Sequence, residues 1–452
     1  MKSVRHLIKH YFNSGHSRSI KAKKHIIISF VLKGISILIG FVLVPLILGY
    51  IDSERYGIWL TLSSIIAWFS FFDIGLGNGL RNRFAEAIAN DTHELAKTYI
   101  STTYALLGIV FLFALILFNC VNPFLNWQKI LNTLTITNKE LSIIAMVIFN
   151  FFVFRLYFKL IGTILMADQR PSINSAFGPI GNVFTLIIIF ALTKTTEGSL
   201  LLLSVVLSVV PAIVLIVATL YFFGKDYNYY KPNTKSIDFS KSKDLLGLSI
   251  KFLYFQMGSL IFFSTTNFLI AQVSNQQSVT EYNIAFKYFF VAIMIYSIVL
   301  TPFWSAVTEA YSRLDFLWIK RSLKNLQLLS VVFALILIFL LLVSNSIYRI
   351  WVGDKISIPF KLSFIVMIYM TIQIFIAPYS TFINGFGKLK LGIYIITLKL
   401  IIYIPSAIFL GMKFGAFGIV LAMALTQLPS LVLEPLQVSK IINGKSKGIW
   451  NE

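Results

Sequence analysis

Six basic residues stand where the sequence is otherwise suited to a bilayer. Lys33, Arg155, Lys159, Lys251, Lys287 and Lys399 all fall inside long apolar segments. A lysine or arginine at the centre of a membrane helix costs roughly 2.5–3.5 kcal/mol on the insertion scale. Such residues therefore usually face a bundle interior or a wet cavity and mark function. Their natural counterpart is an anion, and the forked guanidinium of Arg155 suits a phosphate. Arg155 and Lys159 are four residues apart, the spacing of one helix face. Lys33 lies deep, and Arg155 and Lys399 fall near the middle of their segments, whereas Lys251 and Lys287 are close enough to a segment end to extend toward the interface. Three acids lie near or within the segments: Asp73, Glu309 and Glu434. They are candidates to carry a coupled proton or sodium ion, and also to pair with the bases. Six bases against three acids leave a positive excess.

Other chemistry is poorly supplied. The single cysteine, Cys120, excludes a disulfide framework and a cysteine-based metal site. The five histidines, His6, His10, His16, His25 and His93, all lie outside the apolar segments, which leaves a buried zinc or haem almost no ligands. Gly75, Gly77 and Gly79 do not make a phosphate loop, because no strand precedes them and no Gly-Lys-Ser/Thr ending follows. They read as a close-packed helix exit. With no nucleotide motif and no cofactor expected, an ion gradient is the available energy source. The longest outer loop, Val121–Glu140, has only Lys129, Lys139 and Glu140 as charged groups, so no catalytic constellation appears. Amides such as Asn150, Asn174, Asn182, Asn267, Gln373 and Gln427 can bond sugar hydroxyls, and Tyr157, Tyr296, Trp304 and Tyr369 can stack on sugar rings. Most of these are expected to serve helix packing instead.

The elements that position these groups follow from composition. The 452 residues are 57% hydrophobic and 13% charged, with a mean hydropathy of +0.81. Soluble domains carry about 25% charged residues, so lipid is the main solvent. Crossing the hydrocarbon core takes about 20 apolar residues. The pattern predicts helices near 26–50, 56–77, 98–120, 141–166, 173–193 and 198–223, then 245–272, 282–308, 325–348, 358–384, 389–411 and 414–437. The runs are continuous rather than alternating, which favours helices over barrel strands. Between the two sets of six lies Gly224–Asp244, with five lysines and three aspartates. The expected division is a basic segment 1–25, a six-helix bundle 26–223, a linker 224–244, a second bundle 245–437 and a tail 438–452.

The net charge of +21 would suggest nucleic acid for a soluble protein, but here the loops account for it. With the N-terminus inside, 25 of the 39 lysines and arginines fall in inner segments and 8 in outer ones. By the positive-inside rule both termini and the linker are cytoplasmic. Two six-helix halves then share one orientation, so any internal repeat is parallel, about an axis along the membrane normal.

At the second segment the residues become specific. Tyr56-Gly57-Ile58-Trp59 follows the first outer loop, and Asp73-Ile74-Gly75-Leu76-Gly77-Asn78-Gly79-Leu80-Arg81-Asn82-Arg83 follows the span. Together with the helix plan, this resembles the polysaccharide-export flippases of bacterial envelopes, particularly the Wzx-type O-antigen flippases, in the superfamily that also holds MATE multidrug exporters. The resemblance implies an all-α membrane fold of 12 helices in two V-shaped bundles that open alternately to each side. It implies a cargo of oligosaccharide linked through pyrophosphate to undecaprenyl lipid in the bacterial inner membrane, with a polysaccharide polymerase and a chain-length regulator as companions. It implies neither an enzyme nor a nucleic-acid partner. A drug exporter of the same architecture is the alternative, and a membrane-embedded glycan polymerase or ligase a more remote one.

The orientation is testable by fusion. Alkaline phosphatase joined after Asn233 or Glu452 should be inactive while green fluorescent protein at the same points fluoresces. Phosphatase inserted near Asn126 should be active. The reverse pattern would invert the topology.

Overall fold

The computed structural model describes residues 17–69, 76–168, 170–242, 262, 264–354 and 356–451. Among them there is no β-strand. In chain order the principal helices are α1 (Ser17–Tyr50), α2 (Ser53–Ala67), α3 (Leu76–Ala89), α4 (His93–Val121), α5 (Asn138–Phe158), α6 (Leu160–Ala167), α7 (Pro171–Thr195) and α8 (Leu200–Gly224). They continue with α9 (Gln276–Ser312), α10 (Phe316–Val352), α11 (Phe360–Phe386), α12 (Lys390–Leu425) and α13 (Leu428–Ile442). Eight helical stretches among the described residues are long and apolar enough to cross a membrane, and Gly34–Tyr50 is a shorter apolar helix. One of the eight, Lys390–Ile442, runs from α12 through α13. The chain is a multi-pass membrane protein. Of the twelve expected spans, those at 56–77 and 245–272 fall partly outside the described residues.

Local chemistry sets the helix ends. Thr137 caps α5 by accepting from the Glu140 N–H, Ser199 caps α8 through Leu202, and Asp315 caps α10 through Trp318 at 3.0 Å. Each satisfies a donor that the first turn leaves orphaned. Gly387 closes α11 with a left-handed φ of 71°, a conformation that glycine adopts without steric cost. The helices run on through Pro45, Pro179, Pro211, Pro378 and Pro405.

The interruptions lie elsewhere. The fourth span bends at Lys159, which ends α5 and begins α6. Gly415, with φ 62° and ψ −143°, divides α12. There the chain doubles back so closely that a Cβ on Gly418 would overlap the Leu410 carbonyl oxygen. The last span then breaks again at Thr426–Gln427, and Pro429 sits in the first turn of α13.

The chain forms two compact units. In the first, α1 packs on α7, α5 on α8, α7 on α8, and α3 on both α4 and α6. In the second, α11 is the hub, in contact with α9, α10, α12 and α13. This unit also takes in Ser53–Ile65, the first three turns of α2, which the sequence assigns to the first bundle. The reason is backbone packing: Gly57 lies so close to Gln276 that a side-chain Cβ would overlap the Gln276 carbonyl. Thr61 donates to Gln276 Oε1 at 2.8 Å, Asn267 donates to Ser64 at 2.8 Å, and Thr280 donates to the Ser53 carbonyl at 2.7 Å.

Outward faces are apolar throughout, with Leu38, Leu220 and Ile401 each about two-thirds exposed. So much contiguous apolar surface is what lipid-facing helices present. The described part of the linker is not a free tether but part of the first unit. Asn233 and Asp238 donate backbone N–H groups to Ser101 and Thr102 of α4 at 3.1 and 3.0 Å. Arg170 reaches Asp168 at 3.0 Å and Asp226 at 2.6 Å, and the Tyr227 hydroxyl donates to Asp168 at 2.7 Å. Burial, then its bond to Asp168, pushes that hydroxyl above the usual phenol range, so it remains a donor.

The close glycine contacts carry a stability prediction. Gly57→Ala and Gly418→Ala each press a methyl group into backbone and should cost about 1–3 kcal/mol. Gly178→Ala, which meets nothing within 4 Å, should be neutral or stabilising. Thermal unfolding of the detergent-purified variants measures both.

Candidate functional site: charged residues at broken spans

The described cations divide by environment. Arg155 lies in the last turn of α5, and Lys159 is the residue at the α5–α6 bend. Both side chains are exposed, and neither has a hydrogen-bond acceptor or ion-pair partner among the described residues. The bend is built by neighbours. Asn174 of α7 packs so tightly on Gly162 that a Cβ there would meet its amide oxygen, and Thr219 of α8 donates to the Phe158 carbonyl at 3.3 Å. Tyr157 stands edge-on to Tyr104, with ring centroids 5.2 Å apart. The helix that carries Arg155 and Lys159 is therefore held on either side of them by packing and not by their own charges.

Lys399 of α12 is half-buried and partnered. Its ammonium donates to Gln427 Oε1 at 2.6 Å. Gln427 sits buried at the break before α13, so the interruption of the last span delivers its amide oxygen to a half-buried cation. Glu434, two turns further along α13, is electrostatically coupled to Lys399 without forming an ion pair among the described residues. Its carboxylate accepts from Ser380 of α11. The structure thus places one cationic candidate and one acidic candidate in a single cluster.

Lys287 of α9 takes a third environment. Its ammonium donates to the Tyr56 hydroxyl at 3.2 Å and lies 5.9 Å from that ring's centroid. Tyr56 is 2% exposed and stacks parallel to Trp59. One turn earlier on α9, Asn283 donates to Asn267 at 2.9 Å, so Lys287 ends a run of polar contacts between α2 and the start of α9. Residues Asp73 and Lys251, and the side chains of Lys33 and Glu309, lie outside what the structure describes.

Several polar candidates are occupied in packing. Asn150 accepts from Asn119 at 2.8 Å, Asn182 donates to Ser36 at 3.1 Å, and Tyr296 shares a buried bond of 2.8 Å with Ser330. Gln373 donates to the buried Tyr369 at 2.7 Å. The residues that sequence reasoning missed are hydroxyl partners: Tyr56, which accepts from Lys287, and Ser380, which donates to Glu434. Tyr56 stands within the quoted motif, so the motif held the only signal.

An all-helical membrane protein with spans interrupted beside cations is the class that fold and site define. No protein-family model matches the chain. It is 24% identical over 373 residues, 79% of this chain and 81% of the relative, to a Yersinia pseudotuberculosis protein named for O-antigen export. It is 23% identical over 427 residues, 90% of this chain and 94% of the relative, to a Salmonella typhi protein named as an O-antigen transporter. Among solved structures it superposes on the lipid II flippase MurJ in an inward closed conformation with a TM-score of 0.72 at 16% identity, over 93% of this chain and 90% of that one. It superposes on an inward-facing MATE-family multidrug resistance transporter of the MOP superfamily with a TM-score of 0.70 at 13% identity, over 93% of this chain and 96% of that one. The fold is the one these transporters share.

Solvent access separates the cations. In a Cys120→Ser background, Arg155→Cys and Lys159→Cys should react readily with a membrane-impermeant maleimide, and Lys399→Cys should react more slowly. Equal protection of all three would place Arg155 and Lys159 against lipid.

Proposed function

We propose that the chain is a flippase for undecaprenyl-pyrophosphate-linked oligosaccharide, the O-antigen unit, moving it from the cytoplasmic to the periplasmic leaflet of the bacterial inner membrane. The observation that carries this reading is the pair Arg155 and Lys159: two exposed cations without acceptors among the described residues, at a bend in a span, in a chain alike over most of its length to proteins named for O-antigen export. Pyrophosphate is the matching anion, and a guanidinium binds it through two parallel donors. Breaks in spans are where membrane transporters commonly build substrate sites.

In this reading Arg155 and Lys159 engage the pyrophosphate, and Lys399 supplies further attraction once its carboxylate neighbour is neutralised. Glu434 is the preferred coupling group. A proton on Glu434 removes the negative charge beside Lys399 and leaves the ammonium free for an anionic cargo; loss of the proton restores the internal balance. Asp73 and Glu309 remain further coupling candidates, and Lys33, Lys251 and Lys287 further cations. The termini are cytoplasmic, and a polymerase with a chain-length regulator takes the product on the far side.

A strain lacking the chain should accumulate single lipid-linked units in the cytoplasmic leaflet. Restoration with Arg155→Glu or Lys399→Glu should leave O-antigen display abolished, with protein still present in the membrane. Unchanged display in both single variants and in the double variant would remove these residues from the site. The shared MATE fold supports one other reading, a small-molecule exporter. Drug sensitivity in the deletion strain, with a normal surface glycan, would select it.

A further inference from the structure

A cleft of about 530 Å³ lies in the second unit where α10 passes α11 and α13. Its lining is graded. At one end stand Lys320 and Lys324, successive turns of one face of α10, opposite Ser439 and Asn443 of α13. Deeper along α13 the wall turns apolar, with Leu436, Pro435 and finally Val432. Both lysines are exposed, and neither has an acidic partner among the described residues. The floor is fixed by Gln327, which donates to Tyr379 of α11.

We infer that this cleft binds an anionic phospholipid of the cytoplasmic leaflet, with its phosphate between the two lysines and Asn443 and one acyl chain along the α13 wall. Charge and dimensions point the same way. The charge is complementary, because the first turns of α10 carry Lys320, Arg321 and Lys324 and no acid. Basic clefts between membrane helices on the cytoplasmic side are suited to anionic headgroups. The dimensions agree as well: from Asn443 to Val432 the helix rises about 16 Å at 1.5 Å per residue, close to the roughly 15 Å half-thickness of the hydrocarbon core. A phospholipid chain matches that wall, while a polyprenyl chain would overrun it. The volume falls within the roughly 300–1,000 Å³ of small-molecule sites. Its lining includes none of Arg155, Lys159 and Lys399.

The test is native mass spectrometry of the full chain in detergent, with phosphatidylglycerol, phosphatidylcholine or undecaprenyl phosphate added. The unaltered protein should retain phosphatidylglycerol over phosphatidylcholine. A lysine near an anionic surface contributes about fivefold in affinity, so Lys324→Gln should lose about that factor and Lys320→Gln/Lys324→Gln more. The Lys320→Arg/Lys324→Arg variant should retain the preference, which separates charge loss from misfolding. Equal retention of phosphatidylcholine, or undiminished phosphatidylglycerol in the double glutamine variant, would overturn the assignment. Displacement of phosphatidylglycerol by equimolar undecaprenyl phosphate would give the cleft to the cargo lipid and overturn it equally.

Discussion

A positive charge carried into a bilayer must find oxygen, and the rest of this structure is arranged around how each one does. At a helix centre the cost is roughly 2.5–3.5 kcal/mol per lysine or arginine. Hydrogen bonds to a charged group return roughly 1.5–3 kcal/mol each. Lys399 takes the Gln427 amide oxygen at 2.6 Å and the field of Glu434. Lys287 makes do with a phenol hydroxyl and the face of its ring. Arg155 and Lys159 take nothing from the described protein, so their solvation has to come from water, lipid headgroups or a bound anion.

The same constraint explains where the spans break. In lipid every backbone polar group has to be satisfied within the protein, so irregular backbone survives only where packing or a cavity supports it. Most of the prolines do not mark these places; Pro429 alone among those named stands beside one, the break at Thr426–Gln427. Helices continue through Pro45, Pro179, Pro211, Pro378 and Pro405, because neighbouring helices take up the local distortion. The bend at Lys159 is instead held by Asn174 against Gly162 and by Thr219 on the Phe158 carbonyl. The break at Thr426–Gln427 frees a side chain to turn toward Lys399. Charge and interruption coincide at both positions, and at both the supporting contacts come from other helices.

Much of the architecture was legible in the sequence, because lipid imposes a simple rule on composition. Twelve spans are readable as apolar runs of the right length, eight described helical stretches are long and apolar enough to match such runs, and the linker is readable as a lysine-rich interval. The bend at Lys159 was not legible, since no proline or glycine stands there and its cause is the tertiary approach of α7. The place of α2 in the second unit was equally hidden. It rests on a backbone contact between Gly57 and Gln276, residues far apart in the chain, and no local pattern encodes such an approach. At the candidate site, residue type identified the cations but not their partners. Pairing between the three acids and the bases stood open in the sequence, and only the fold showed that Glu434 and Lys399 share a cluster.

That difference in partnership divides the cations by the work they can do. A charge already compensated by Gln427 and Glu434 offers a mobile ligand little, unless the carboxylate is first neutralised. It is therefore suited to switching. A guanidinium and an ammonium one helical turn apart, exposed and without acceptors among the described residues, are suited to capture an anion. Lysine at both positions would supply the same charge but not the planar fork that fixes the orientation of a phosphate. The placement of arginine at 155 and lysine at 159 therefore favours a ligand held in one orientation at the bend, with the second charge adding attraction from the next turn.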